Sequence, residues 1–206
     1  MAEKTRIAVL VSGGGTNLQA LIDAQAAGKL PDGELTLVIS NKPDAYALTR
    51  AKNAGIPTAV IEKKAFADAA AFEDALIETL KNNRTELIVL AGFMVILGKR
   101  FTDTFPRRII NVHPALIPSF CGEGFYGLRV HEAALTKGVK VTGATVHFVN
   151  EIPDGGEIIL QKAVAVHDSD TPEKLQKRVM RQAEWKILPQ AAEIISRQIR
   201  QNKEET

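Results

Sequence analysis

The chain has 206 residues, 45% of them hydrophobic and 24% charged. That is enough for one sizeable α/β domain and too little for two comfortable ones. A formal net charge of +2 excludes a general nucleic-acid binder, while leaving room for a local basic pocket that takes a phosphate. The lone cysteine, Cys121, excludes an internal disulfide and suits a reducing compartment. The polar start, Met1 to Arg6, and the absence of an apolar run of about 18 residues argue against a signal peptide or membrane span, so the cytoplasm is the expected location.

In chain order, Ile7–Val11 reads as a strand buried on both faces and Leu18–Ala27 as the helix after it. Leu35–Ile39 is a second strand, Tyr46–Asn53 a helix ending at Gly55, and Thr58–Ile61 a third strand. Ala69–Asn82 carries Phe72, Leu76 and Leu80 at helical spacing, and Leu87–Ala91 is a fourth strand. This β-α-β-α alternation predicts a doubly wound, mostly parallel sheet. After the strand Ile109–Val112 a Pro- and Gly-rich stretch, Pro114–Gly127, is too irregular for a packed element. Two β-like runs follow, Gly143–Val149 and Glu157–Val166, joined by a Pro-Asp-Gly-Gly turn at 153–156. Thr171 then suits a helix cap and Pro172 the first helical position. That helix is expected to reach about Ile187, with Pro189 kinking or restarting it and Gln201–Thr206 fraying.

Ser12-Gly13-Gly14-Gly15-Thr16-Asn17 lies between the first strand and the first helix. Consecutive glycines let backbone N–H groups approach an anion, and a helix N-terminus adds positive partial charge. A tight turn capped by Thr16 is the plainer reading, but such a turn does not need three glycines. The loop lacks the Gly-Lys-Ser/Thr of a Walker sequence. Leu18 holds the third glycine position of a dinucleotide fingerprint, and Ile39-Ser40-Asn41 offers no acidic residue for a ribose, so a phosphate monoester fits better than ATP or NAD.

Asn111-Val112-His113-Pro114 ends an apolar strand, where open parallel sheets carry their ligand crevice. Residues two apart on a strand share a side, so Asn111 and His113 face one site. An amide suits an oxyanion and an imidazole suits proton movement, as acyl transfer requires. Asp154 by itself reads first as a turn-former; placed near His113, its carboxylate would orient the ring and raise its pKa. The other histidines, His131, His147 and His167, form no zinc spacing; His147 is expected to be structural, and His131 and His167 to lie near the surface. Trp185, Ile187 and Leu188 read as core, and Arg178 and Lys186 as a solvated helix face.

Taken together, Ser12–Asn17, Ser40–Lys42, Leu90–Met94, Asn111–Ser119, Gly143–His147 and Asp154–Gly156 give the chain a resemblance, over about residues 6–190, to the folate-dependent glycinamide ribonucleotide transformylases of purine synthesis. The resemblance implies a formyltransferase-type α/β fold with a Rossmann-like N-terminal half. It implies one domain, with a phosphate-binding half at 1–110 and a catalytic, folate-closing half at 111–206. By position, Asn111, His113 and Asp154 would be catalytic, while Gly15, Thr16, Asn17 and Arg181 would bind the substrate phosphate and Glu184 the ribose. Phe93, Met94, Val95, Ile96, Leu97, Asn111, Val149, Asn150 and Pro153 would meet 10-formyltetrahydrofolate, which acts as co-substrate with no metal. Small-molecule substrates, no nucleic acid and no membrane are expected; monomer and homodimer stay equally open.

Two departures from the family pattern are Val95, where many members carry Arg, and Ala69, near which some carry a basic residue; both bear on the folate tail. The loop Phe120–Leu128 is longer than in the shortest relatives and is expected to touch the rim of the site rather than its chemistry. Formyltetrahydrofolate hydrolases use a similar Asn-His-Asp set after a regulatory domain for which the start at Arg6 leaves no room. Transfer-RNA formyltransferases append a binding domain. A non-catalytic phosphate- or nucleotide-binding module would need the glycine loop alone and leaves the other three residues unexplained.

Overall fold

The computed structural model describes residues 3–204. Strands β1 (Thr5–Val11), β2 (Gly33–Ser40), β3 (Thr58–Val60), β4 (Leu87–Leu90), β5 (Ile109–His113), β6 (Val141–Phe148) and β7 (Ile158–Ala165) form one sheet in the order β3-β2-β1-β4-β5-β6-β7. The pairings from β3 through β5 are parallel; β6 and β7 are antiparallel. The helices are α1 (Thr16–Ala26), α2 (Tyr46–Asn53), α3 (Ala69–Asn82), α4 (Lys99–Thr104), α5 (Leu128–Lys137), α6 (Pro172–Val179) and α7 (Trp185–Glu204).

β1 explains the layering. Ile7, Val9 and Val11 join Leu18 and Leu21 of α1 and Leu188 and Ile195 of α7 in one core, whereas Ala8 and Leu10 join Phe72, Leu76 and Leu80 of α3 in the other. A strand covered on both faces has no solvent side to mark with polar residues, hence its unbroken apolar run. α7 is fixed across the sheet by polar contacts as well. Thr5 Oγ1 donates to the Ser196 carbonyl at 2.8 Å, and Asp32 pairs with Arg197 at 3.1 Å and Arg200 at 3.0 Å.

The bounds of α2 and α3 agree with the sequence pattern, and Asp68 caps α3 by accepting from Ala71 N–H at 2.8 Å. Thr171 caps α6 in the same way, with Pro172 as its first residue. Two helices carry no clear signal in the sequence. α4 is six residues long, too short to show a period, and α5 follows the glycine-rich stretch directly. The helix does not restart at Pro189. A π turn at Met180–Glu184 joins α6 to α7, which runs through Pro189 to Glu204. Burial of Ile187, Leu188, Ala191, Ala192, Ile195 and Ile199 outweighs the one hydrogen bond that proline removes. Gln201–Glu204 remain helical rather than frayed, with Lys203 paired to Glu86 at 2.5 Å; the expectation for Glu205 and Thr206 lies outside the described residues. No helix among the described residues is long and apolar enough to cross a membrane.

Candidate active site

From β1 the chain proceeds in one direction to β2 and β3, and β4 and β5 lie on the other side, so the topological switch falls between β1 and β4. Ligand crevices of open α/β sheets form there, beyond the carboxyl ends of the strands. The glycine loop after β1, the segment Gly92–Ile96 after β4 and the end of β5 all emerge at this edge. A cavity of about 780 Å³ lies among them, lined by Asn17, Phe93, Asn111, His113, Asp154 and Glu184 together with neighbouring residues.

Strand register places the catalytic candidates. β5 pairs antiparallel with β6, setting Asn111 opposite His147 and His113 opposite Thr145. Asp154 reaches them from the turn between β6 and β7, where it adopts φ 56°. That turn folds tightly back on β6, since a Cβ on Gly156 would stand 1.7 Å from the Phe148 carbonyl. Asp154 Oδ2 lies 3.4 Å from His113 Nδ1, and Oδ1 lies 3.5 Å from His147 Nε2. Asn111 Nδ2 stands 3.2 Å from His147 Nε2, while His147 Nδ1 is 2.7 Å from the Phe148 carbonyl. His147 Nδ1 donates to the Phe148 carbonyl, which leaves Nε2 turned to both the Asn111 amide and Asp154 Oδ1 and so fixes their relative placement. His147 is therefore structural, as expected, and orients two of the catalytic candidates as well.

His113 carries two opposed influences. Its Nε2 donates to the Phe120 carbonyl at 2.8 Å and its Nδ1 faces Asp154, so acceptors stand at both nitrogens. Burial at 4% exposure nevertheless dominates and holds the pKa below the usual histidine value, against the pull of Asp154 and Phe120. Asp154 acts on His113 in the expected, pKa-raising direction, but desolvation is larger and leaves the net value below the ordinary one. Burial raises the Asp154 pKa, yet His147, His113 and the Gly122 N–H together hold it below the usual carboxylate value.

The long loop reaches deeper than its rim. Phe120 supplies the carbonyl to His113, and Gly122 N–H donates to Asp154 Oδ2 at 2.9 Å, so this loop touches two catalytic candidates directly. His131 is also not at the surface. It sits on α5 at 1% exposure, lines the cavity, and has no hydrogen-bond partner at either nitrogen among the described residues. Burial and the nearby His113 lower its pKa to about 4. Its burial comes from α5, whose start directly after the glycine-rich stretch gives it no clear sequence signal. His167 is exposed, as expected. Trp185 is half-buried and lines a second cavity of about 990 Å³ instead of joining the core with Ile187 and Leu188. Arg178 is not a solvated side chain but a bidentate partner of Asp170.

On the other wall, Asn17 Nδ2 donates to Glu184 Oε2 at 2.7 Å, joining the start of α1 to the π turn. Complete burial raises the Glu184 pKa to about 7 despite that bond. Ser12 Oγ accepts from Met94 N–H at 2.9 Å and donates to Asn41 Oδ1 at 2.6 Å, tying the glycine loop to the Phe93–Ile96 wall. Phe93, Met94, Val95, Ile96 and Pro153 line the cavity. Leu97 is buried in the α3 core, Val149 packs against the same core, and Asn150 Oδ1 accepts from Ile152 N–H, so these three do not line it. Gly15, Thr16 and Arg181 also lie outside its lining, Thr16 bordering the second cavity and Arg181 being exposed on the π turn. Among the described residues, no group of three or more His, Cys, Asp or Glu is arranged to hold a metal ion.

Residues 5–192 match the family described as formyl transferase. The chain belongs to that family. A phosphoribosylglycinamide formyltransferase from Haemophilus influenzae is 45% identical over 184 residues, covering 89% of this chain and 84% of the relative. The trifunctional purine biosynthetic protein adenosine-3 of Bos taurus is 46% identical over 195 residues; the match covers 94% of this chain but only 18% of that protein. Among solved structures, glycinamide ribonucleotide transformylase 1 from Symbiobacterium toebii superposes with a TM-score of 0.89 at 41% identity, covering 95% of this chain and 89% of the other. Phosphoribosylglycinamide formyltransferase from Brucella melitensis gives 0.86 at 40% identity, covering 94% and 96%. The mostly parallel seven-stranded sheet with flanking helices is thus the formyl transferase fold.

Proposed function

We propose that this formyl transferase moves the formyl group of 10-formyltetrahydrofolate to the amine of glycinamide ribonucleotide, a step of purine (IMP) synthesis, in the cytoplasm. The observation that carries the reading is the convergence of Asn111, His113 and Asp154 on one cavity beside the Asn17–Glu184 pair. The N-terminal half, 1–110, supplies the phosphate loop; the C-terminal half, 111–206, supplies the catalytic groups and the turn that closes on the folate. Gly15, Thr16 and Asn17 meet the phosphate with Arg181, Glu184 accepts from the ribose hydroxyls, and the Phe93–Ile96 wall with Pro153 holds the pterin.

The neutral amine of the ribonucleotide attacks the formyl carbon. A C–N bond forms to that carbon, the bond from it to the folate nitrogen breaks, and one proton passes from the attacking to the departing nitrogen. Asn111 donates an amide N–H to the tetrahedral oxyanion. His113, neutral at rest because it is buried, keeps its own proton on Nδ1 against Asp154 as the ligand takes the place of the Phe120 carbonyl at Nε2; Nε2 then takes the proton from the attacking nitrogen and returns it to the leaving one, while Asp154 stabilises the transient cation. No covalent intermediate with the protein is required.

The test is formylated product from purified protein with both substrates. His113→Ala or Asn111→Ala is expected to lose about a hundred- to thousandfold in kcat. Near-normal turnover in either variant rejects the residue assignment, and formate release without the ribonucleotide points to a hydrolase.

A further inference from the structure

All three carbonyls of the glycine loop are taken by helices. Gly13 C=O accepts from Ala47 N–H at 3.0 Å, Gly14 C=O from Arg50 Nε at 2.8 Å, and Gly15 C=O from Gln19 N–H at 2.9 Å. In a trans peptide the carbonyl and the following N–H point to opposite sides. The N–H groups of Gly14, Gly15 and Thr16 are therefore turned away from α2 and the body of α1, and those of Gly14 and Gly15 have no hydrogen-bond partner among the described residues. Two of the carbonyls are secured by backbone donors. The Gly14 carbonyl alone depends on a side chain.

Arg50 is built for that single task. Its NH1 donates to Gln19 Oε1 at 3.0 Å, Gln19 Nε2 donates to Asp23 Oδ1 at 2.9 Å, and the guanidinium lies over the Tyr46 ring at 5.0 Å. The chain Asp23–Gln19–Arg50 thus braces the guanidinium from α1 while its Nε fixes the loop from α2. Neither Gly13 nor Gly14 has anything within 4 Å of where a Cβ would stand, so the fold leaves that side of the loop open. At Gly15, by contrast, a Cβ would stand 2.6 Å from Ala47 Cβ, and φ is 70°.

We propose that Arg50 is a positioning residue for substrate phosphate: by holding the Gly14 carbonyl it aims the Gly15 N–H at the anion without touching it. The proposal rests on the substrate reading given above and adds to it the residue that orders the phosphate loop. A guanidinium acting through a peptide group affects only ligands that carry the phosphate, whereas a general structural role affects every ligand.

The experiment compares wild type, Arg50→Met and Arg50→Lys, measuring calorimetric Kd for glycinamide ribonucleotide and for the corresponding riboside without phosphate, alongside turnover. Arg50→Met removes the donor and the charge, and ribonucleotide Kd and KM are expected to rise about tenfold to a hundredfold. Riboside Kd, kcat and the folate KM are expected to stay within about twofold. Arg50→Lys keeps the charge but cannot hold Gly14 and Gln19 in the same fork, and it is expected to lose most of the same affinity. Unchanged ribonucleotide affinity in Arg50→Met, an equal loss on the riboside, or wild-type affinity in Arg50→Lys overturns the proposal. If Arg50→Met does not fold, Arg50→Lys decides it. Wild-type protein that binds the ribonucleotide without turning it over defeats the proposed function alone.

Discussion

His113 stands between two acceptors in a closed wall of protein, and burial wins the contest over its charge. Removing the Asp154 charge therefore lowers the His113 pKa further, because the main influence opposing desolvation is gone. NMR titration of the ring in Asp154→Asn is expected to give a pKa below that of wild type; an equal or higher value contradicts this account. Glu184 presents the opposite case, with a buried carboxyl at a pKa of about 7. A raised carboxyl pKa means that the native state holds its proton longer than the unfolded chain does. The associated stability is present below the unfolded value and lost as pH rises through about 7. Glu184→Gln is accordingly expected to raise the melting temperature relative to wild type at pH 8 and to equalise the two at pH 5. The same change is expected to weaken ribonucleotide binding at pH 8, since the proposed ribose contact uses the carboxylate as acceptor for the hydroxyls. A variant less stable than wild type at pH 8 contradicts it.

At the scale of elements, the glycine loop is one strand-to-helix junction with unequal glycines. Gly15 combines φ 70° with a Cβ position 2.6 Å from Ala47 Cβ. Gly15→Ala is expected to cost about 2–4 kcal/mol from the left-handed backbone and the clash together. Gly13→Ala meets open space and is expected to cost less than about 1 kcal/mol. Urea denaturation of both variants checks the difference, and equal losses would show that the α2 contact does not discriminate them. The π turn at Met180–Glu184 has a comparable local role: it turns Met180 and Glu184 to the cavity within an otherwise continuous helical rod. Extra-residue turns of this kind tend to occur where a helix serves a site. The motif Thr171-Pro172 announced where the rod begins, but no residue pattern announced the π turn, which lies against β6 and β7 far away in the chain.

For the molecule as a whole, acid sensitivity follows from a buried ring. His131 has a pKa of about 4 in the folded protein, so it stays neutral while the unfolded chain takes up a proton near its ordinary value of 6.5. Its contribution to stability is present above pH 6.5 and lost as pH falls towards 4. His131→Leu, which puts a non-titrating apolar side chain in the same place, is expected to flatten that part of the stability–pH curve. Chemical denaturation at pH 7 and pH 4.5 reads it, and a drop as large as that of wild type rules His131 out as the source.

The sequence by itself determined the strands β1 to β5, the caps at Thr171 and Pro172, the glycine loop, and the pairing of Asn111 with His113. Each of these is local: an apolar run, a turn chemistry, or a two-residue period on one strand. Only the tertiary structure decided what lay between elements. Antiparallel pairing of β5 with β6 brought His147 to Asn111. The folded-back turn carried Asp154 to His113, and the loop after Pro114 gave up the Phe120 carbonyl and the Gly122 N–H to that pair. The charge of His113 could not be read from the residues beside it. It depends on how completely the assembled walls remove water, and that is a property of packing among residues far apart in the chain.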